Sequence, residues 1–295
     1  MTESLPLSIK LLVFALVSVS VLLGFLNSRG PSPKITILNR WMRWLSVSFA
    51  LAFVFYPMEW IQRPFWALVV IFFLLWLLVE TLYTWFAISA LSQSGISLFP
   101  RFKENNTGEE WPASRKLIEL RDWLRGEKFA KSQALIADIG GGVRLRSSIY
   151  QNSDQNIRIQ VIFVPQGNGS ISHSVSFSSE TADKRTIITD NLFTPYGGFY
   201  PEQWDVCRKP WTRSASKLLR LHKKRIQDLE LIPYETEPID DLNFQQRQLE
   251  RTNIDAGFLV PPHLQEEMGR ITWEGRYRVW KEVWLLNYFG ISFRG

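Results

Sequence analysis

Residues 64–79 read PFWALVVIFFLLWLLV, sixteen residues without a charge between Arg63 and Glu80. Apolar character resumes from Leu82 to Leu91, so a helix that begins near Pro64 can run to about residue 88; proline suits a first helical turn. At about 1.5 Å per residue, such a helix covers the roughly 30 Å hydrocarbon core of a bilayer. A run this apolar, with no polar face, reads as a membrane span.

Two more runs lie upstream. Residues 11–26, LLVFALVSVSVLLGFL, extend backwards past Lys10, which can snorkel from a helix end, to give a span over about 6–27. A cleaved signal peptide is the alternative, but the basic n-region is thin and no A-x-A-like site follows. Residues 44–58, WLSVSFALAFVFYPM, lie between Arg43 and Glu59, with Trp41, Trp44 and Trp60 as interfacial anchors. They predict a span over 41–58 that forms a helical hairpin with the span over 64–88; the alternative is a buried hairpin in a soluble protein. The stretch between the apolar runs 11–26 and 44–58 holds Arg29, Lys34, Arg40 and Arg43 and no acid. Lys/Arg excess marks the cytoplasmic side, so the N-terminus is expected outside and the C-terminal region inside, at the cell membrane. Glu80 falls near the inner headgroups and reads as an interfacial carboxylate, with Trp76, Tyr83 and Trp85 as an aromatic belt at similar depth.

The 295 residues suggest about two domains. The first 99 carry only six Lys/Arg and three Asp/Glu; the other 196 carry 28 and 25. This split excludes a simple soluble protein and a disordered chain. A single cysteine, Cys207, excludes a disulfide scaffold.

Residues 100–112 read as a polar tether and 113–295 as a soluble domain. Asn105-Asn106-Thr107 and Asn168-Gly169-Ser170 are glycosylation sequons that would matter only in a secretory lumen. Ser114 starts a helix with Leu117, Leu120, Trp123 and Leu124 on one face and Gly126 at its end. Strand-like runs follow at 134–139, 143–150, 157–164, 171–177 and 186–192, separated by turn residues that include Gly167-Asn168-Gly169. In the third run Ile157, Ile159, Val161 and Phe163 point one way, Arg158 and Gln160 the other. Connections this short require antiparallel neighbours. Helical periodicity takes over from Ser214, with further helices near 240–253 and 273–289. The expected fold is a three-helix transmembrane segment followed by an α+β domain, with a four- or five-stranded antiparallel meander covered on one face by helices.

Asp138-Ile139-Gly140-Gly141-Gly142, set between two strand-like runs, resembles the phosphate-binding hairpin of actin-like and sugar-kinase ATPases, whose backbone N–H groups hold phosphate. That resemblance covers about ten residues. Those enzymes use two such motifs on two large domains and no second copy is present, so the local reading is a glycine-rich hairpin turn. His173 and His222 fall in phase with apolar faces and read as packed side chains. His263, Glu266 and Glu267 have ligand-type spacing with no second cluster. No catalytic, cofactor or metal residue is assigned; an enzyme would have to draw on Asp138, His173, Asp190, Cys207 and His222.

From Arg208 to Arg225 there are eight basic residues and no acid. Lys217, Arg220, Lys223 and Lys224 lie opposite Leu218, Ile226 and Leu229. This face is either a solvated surface paired with acids such as Asp240, Asp241, Glu266 and Glu267, or the candidate surface for anionic lipid headgroups or an acidic protein partner; membrane tethering favours these partners over nucleic acid. Trp273, Tyr277, Trp280 and Trp284, continued by Tyr288, form a stripe at helical spacing that is a candidate interaction surface if not core. The expected function is a multi-pass membrane protein whose cytoplasmic domain is a non-enzymatic scaffold or regulatory module. A membrane-anchored enzyme is the alternative.

Overall fold

The computed structural model describes residues 5–29, 32–58, 63–107, 111–165 and 171–292. The chain forms two compact units, Met1–Ala90 with Trp280–Ile291, and Leu91–Val279 with Ser292–Gly295.

In the first unit, the apolar runs form helices α1 (Leu7–Arg29), α2 (Pro33–Phe55) and α3 (Phe65–Gln93). The Asn27 side-chain oxygen accepts from the backbone N–H of Ser32 (3.2 Å) and the Thr36 hydroxyl (3.0 Å), which ties the start of α2 to the end of α1. Ser46 donates to the Leu16 carbonyl at 2.8 Å, and Gly24 faces Asn39, so α1 and α2 run antiparallel. Trp44 is the pillar of this unit. It is 3% exposed, donates to the Phe73 carbonyl (3.1 Å), stacks on Phe73 (4.8 Å) and meets Trp41, Trp284 and Tyr288. Trp41 in turn donates to the Tyr288 carbonyl at 3.0 Å.

Two helices, over Leu7–Ser28 and Phe65–Gln93, are long and apolar enough to cross a membrane. Their side chains are largely uncovered by protein: Phe14, Val21, Trp66 and Phe86 are each about 70% exposed. The expectation of three spans is matched only in part. α2 begins at Pro33, so Lys34, Arg40 and Arg43 lie on the helix and not in a loop before it, which leaves α2 less apolar than its neighbours. Glu80 sits within α3, where the Trp76 indole N–H donates to it at 3.2 Å. Glu59, Trp60 and the turn Gly167–Gly169 lie outside the described residues, as does the second sequon.

The second unit is built on an eight-stranded mixed sheet in the order β1 to β7, with β8 paired to β5. The strands are β1 (Phe102–Glu104), β2 (Ala130–Gly140), β3 (Val143–Gln151), β4 (Arg158–Pro165), β5 (Ile171–Thr181), β6 (Thr186–Asp190), β7 (Trp204–Arg208) and β8 (Leu231–Ile232). The five expected strands are β2 to β6, all antiparallel. Three were not expected. β1 falls in the stretch read as a tether and pairs β2; β7 runs parallel to β6; β8 is two residues long. Parallel pairing requires a long crossover, which residues 191–203 supply.

Helices cover both faces, not one. α4 (Arg115–Gly126) and α5 (Ala215–Ile226) bury Leu117, Leu124, Leu218 and Leu219 against Ile159, Val161, Phe163, Val175 and Phe177. Across the sheet, Leu242 of α6 (Pro238–Asp255) packs with Phe102, Leu135, Ala137 and Ile149. That face also buries an ion pair. Arg158 bonds Asp241, donates to the Thr236 carbonyl (3.0 Å) and lies over the Tyr234 ring at 3.9 Å. Burial raises the Asp241 pKa, and the Arg158 charge opposes that rise. α7 (Gln265–Met268) and α8 (Trp273–Trp284) complete the helices, and α8 continues as a π-helical turn over Leu285–Phe289. At the β2–β3 hairpin Gly140 has φ +96°, and a Cβ there would lie 2.6 Å from the Gly95 carbonyl oxygen. Glycine at 140 is therefore a steric requirement.

Because Phe102 is 4% exposed under α6, β1 belongs to the domain. A fragment of residues 91–279 should unfold cooperatively in a thermal melt. Phe102→Ala should cost it about 3–5 kcal/mol, as for other buried aromatics cut to alanine. A fragment that starts at residue 112 and is equally stable would contradict this.

Candidate functional site

The candidate surface is α5. Its sequence alternates leucines and basic residues at helical spacing, so its two faces cannot be buried in the same contact. Ser214 caps the helix by accepting from the Lys217 backbone N–H at 3.4 Å. Ala215, Leu218, Leu219, His222 and Ile226 are buried.

Two polar anchors fix the helix beside its leucines. The His222 ring is fully buried, with Nδ1 3.0 Å from the Thr189 hydroxyl and Nε2 3.0 Å from the Ser179 hydroxyl. Burial first, and the nearby Arg225 charge second, bring its pKa down to about 3. Arg225 donates to the Ile188 carbonyl (2.5 Å), the Thr189 hydroxyl (2.6 Å) and the Asp205 carbonyl (2.8 Å) and pairs with the Asp205 carboxylate (2.8 Å).

The eight basic residues between Arg208 and Arg225 are thus divided by use. Arg208 and Arg225 are structural. Arg208 pairs with Asp190 (3.4 Å) and donates to the Tyr200 hydroxyl (2.7 Å) and the Thr194 carbonyl (3.2 Å). The predicted four, Lys217, Arg220, Lys223 and Lys224, are all exposed, and none forms an ion pair among the described residues. The sheet side of α5 holds the helix while its basic side is left to solvent.

The aromatic stripe does not act as one surface. Trp273 and Tyr277 are 71% and 52% exposed. Trp280 and Trp284 belong to the first unit, where Trp284 stacks on Tyr288 at 4.5 Å and lies 5.8 Å from Trp44. Trp284 is thus a packing residue.

The enzyme pool does not assemble. A cleft of about 410 Å³ is lined by Cys207, Arg208, Arg225, Tyr200, Glu202 and Trp204, but not by Asp190 or His173. Cys207 is the register partner of Thr189, and Asp190 is held by its ion pair with Arg208 at 3.4 Å. His173 is exposed rather than packed, against expectation. Partial desolvation, and then the charges of Arg213 and Lys116, lower its pKa. His222 is packed as expected. Asp138 is exposed on β2 and accepts from the Gly140 N–H at 2.9 Å, so its carboxylate organises the turn. No group of three metal-ligating side chains occurs among the described residues. Asn105 of the first sequon is buried and bonds Thr107 (3.2 Å to its N–H, 2.7 Å to its hydroxyl).

The His222 geometry predicts a pH dependence. The folded state keeps the ring neutral down to about pH 3, while the unfolded chain takes up a proton near 6.5. Stability contributed by the neutral ring is therefore complete above pH 6.5 and falls as pH drops towards 3, by at most about 1.4 kcal/mol per unit. His222→Asn should be less stable at pH 7 and show a flatter pH profile in chemical denaturation.

No family model, curated protein or solved structure matches this chain.

Proposed function

We propose that this chain is a multi-pass membrane protein with its N-terminus outside. In this reading α2 is a third membrane-embedded helix beside α1 and α3, and the α+β domain is cytoplasmic. There the domain serves as a non-enzymatic interaction or regulatory module whose basic α5 face meets the anionic inner leaflet.

One observation carries the reading. Lys217, Arg220, Lys223 and Lys224 point outward from a helix whose opposite side is locked to the sheet. Each basic residue close to an anionic surface contributes about 1 kcal/mol, and an anchored domain does not bear the entropy of reaching that surface. The orientation rests on Arg40 and Arg43, carried on α2, with Arg101 and Lys103 after α3. A lipid surface, unlike a folded partner, demands no shape complementarity from four flexible side chains.

The fragment of residues 91–279 should sediment with vesicles containing anionic lipid and not with neutral ones. Binding should weaken steeply as salt rises, because exposed charges are screened beyond about 8 Å at physiological ionic strength. Changing all four residues to glutamate should abolish binding with little change in melting temperature, since exposed substitutions usually cost within about 0.5 kcal/mol each. Equal binding to neutral vesicles would transfer the role to exposed Trp273 and Tyr277. No binding to either would defeat the lipid reading.

A further inference from the structure

A carboxylate and two arginines come together in the first unit without pairing. Trp44 of α2 stacks on Phe73 of α3, and Ala52 packs with Leu68. The two helices therefore run antiparallel, and Arg40 and Arg43 lie toward the Glu80 end of α3. Arg40 and Arg43 are three residues apart and share a face of α2. Glu80 and Arg40 are half-buried and Arg43 is exposed. None of the three forms an ion pair among the described residues. The hydrogen bond to Glu80 comes from the Trp76 indole N–H at 3.2 Å, whereas an ionised carboxylate can accept about four. Ionisable groups inside a membrane segment ordinarily pair with one another; these do not.

Tyr288 joins the two sets. The Arg40 guanidinium carbon lies 5.4 Å from its ring centroid. Its hydroxyl is close enough to Glu80, Arg40 and Arg43 to feel their charges, yet it makes no hydrogen bond of normal length among the described residues, although Tyr288 is only 3% exposed. The ring of Trp284, stacked on Tyr288 at 4.5 Å, likewise has a buried indole N–H without an acceptor. Buried polar groups left in this way need an explanation.

We infer that this site binds the headgroup of a phosphatidylethanolamine. Separated charges of both signs answer a zwitterion. The lipid ammonium has three N–H donors, as a lysine ammonium does, and gives them to Glu80 and the Tyr288 hydroxyl oxygen beside aromatic faces that favour a cation. The guanidinium groups of Arg40 and Arg43 donate to the phosphate. A choline headgroup has no N–H to give Glu80, and a glycerol headgroup has no cation. The acyl chains run along the part of α3 that precedes Glu80, where Ile71, Leu74 and Leu75 are exposed. The inference rests on the reading of α1 and α3 as membrane spans and not on the α5 surface, because all its residues belong to the first unit.

The test places the full chain in nanodiscs with equal amounts of phosphatidylethanolamine, phosphatidylcholine and phosphatidylglycerol. Native mass spectrometry then counts the lipids kept by each chain after release. One retained phosphatidylethanolamine per chain is expected. Glu80→Gln should lower its preference over phosphatidylcholine about tenfold, the loss of one charge-assisted hydrogen bond. Arg40→Ala with Arg43→Ala should remove retention, and the four-glutamate variant of α5 should leave it unchanged. Should the double alanine variant fail to fold, Glu80→Gln still carries the test, since the glutamine oxygen can accept from Trp76. Equal retention of phosphatidylcholine, retention of phosphatidylglycerol instead, or retention indifferent to Glu80 overturns this inference alone. A chain that does not enter the bilayer overturns the span reading and this inference with it.

Discussion

The outward side chains of α1 and α3 are mostly apolar, and water is a poor solvent for them. Covering apolar area is worth roughly 25 cal/mol per Å², and no protein covers Phe14, Val21, Trp66 or Phe86. A bilayer satisfies this demand. The contacts between α2 and α3 are specific: Trp44 of α2 gives its indole N–H to the Phe73 carbonyl of α3 and its ring to Phe73, Trp41 and Tyr288. Residues 280–291, from the far end of the chain, pack in this unit.

The sheet domain distributes its polar groups differently. On one face Arg158, Asp241 and Tyr234 form a buried charged cluster. Removing one partner of such a pair leaves an uncompensated charge, which costs more than the pair itself contributes. On the other face His222 and Arg225 tie α5 to β5 and β6. Both devices hold a helix in one orientation. For α5 the consequence is geometric: a helix fixed in rotation keeps the same four cations facing outward.

Much of the domain was legible because β2 to β6 follow one another at short sequence spacing and carry a period-two pattern. Ile159, Val161 and Phe163 announce their face without any knowledge of the fold. β1, β7 and β8 carry no such signal; Phe102 is buried by α6, more than a hundred residues away in sequence. Arg158 was read correctly as pointing away from the apolar face, but its partner Asp241 lies 83 residues on, and nothing local joins them. The basic run looked uniform because charge counts do not reveal that Arg208 and Arg225 are used by β6 and β7. His173 alternates correctly with its neighbours yet lies exposed, so phase alone did not establish burial.

The central claim is that the basic face of α5 lies on the cytoplasmic side of a membrane held by the apolar helices. Cys207 is the only cysteine, so Cys207→Ser gives a silent background in which Lys217→Cys reports on that face alone. A membrane-impermeant maleimide applied to intact cells should leave this cysteine unmodified and should label it once the membrane is permeabilised. Labelling in intact cells would place the face outside and contradict the account.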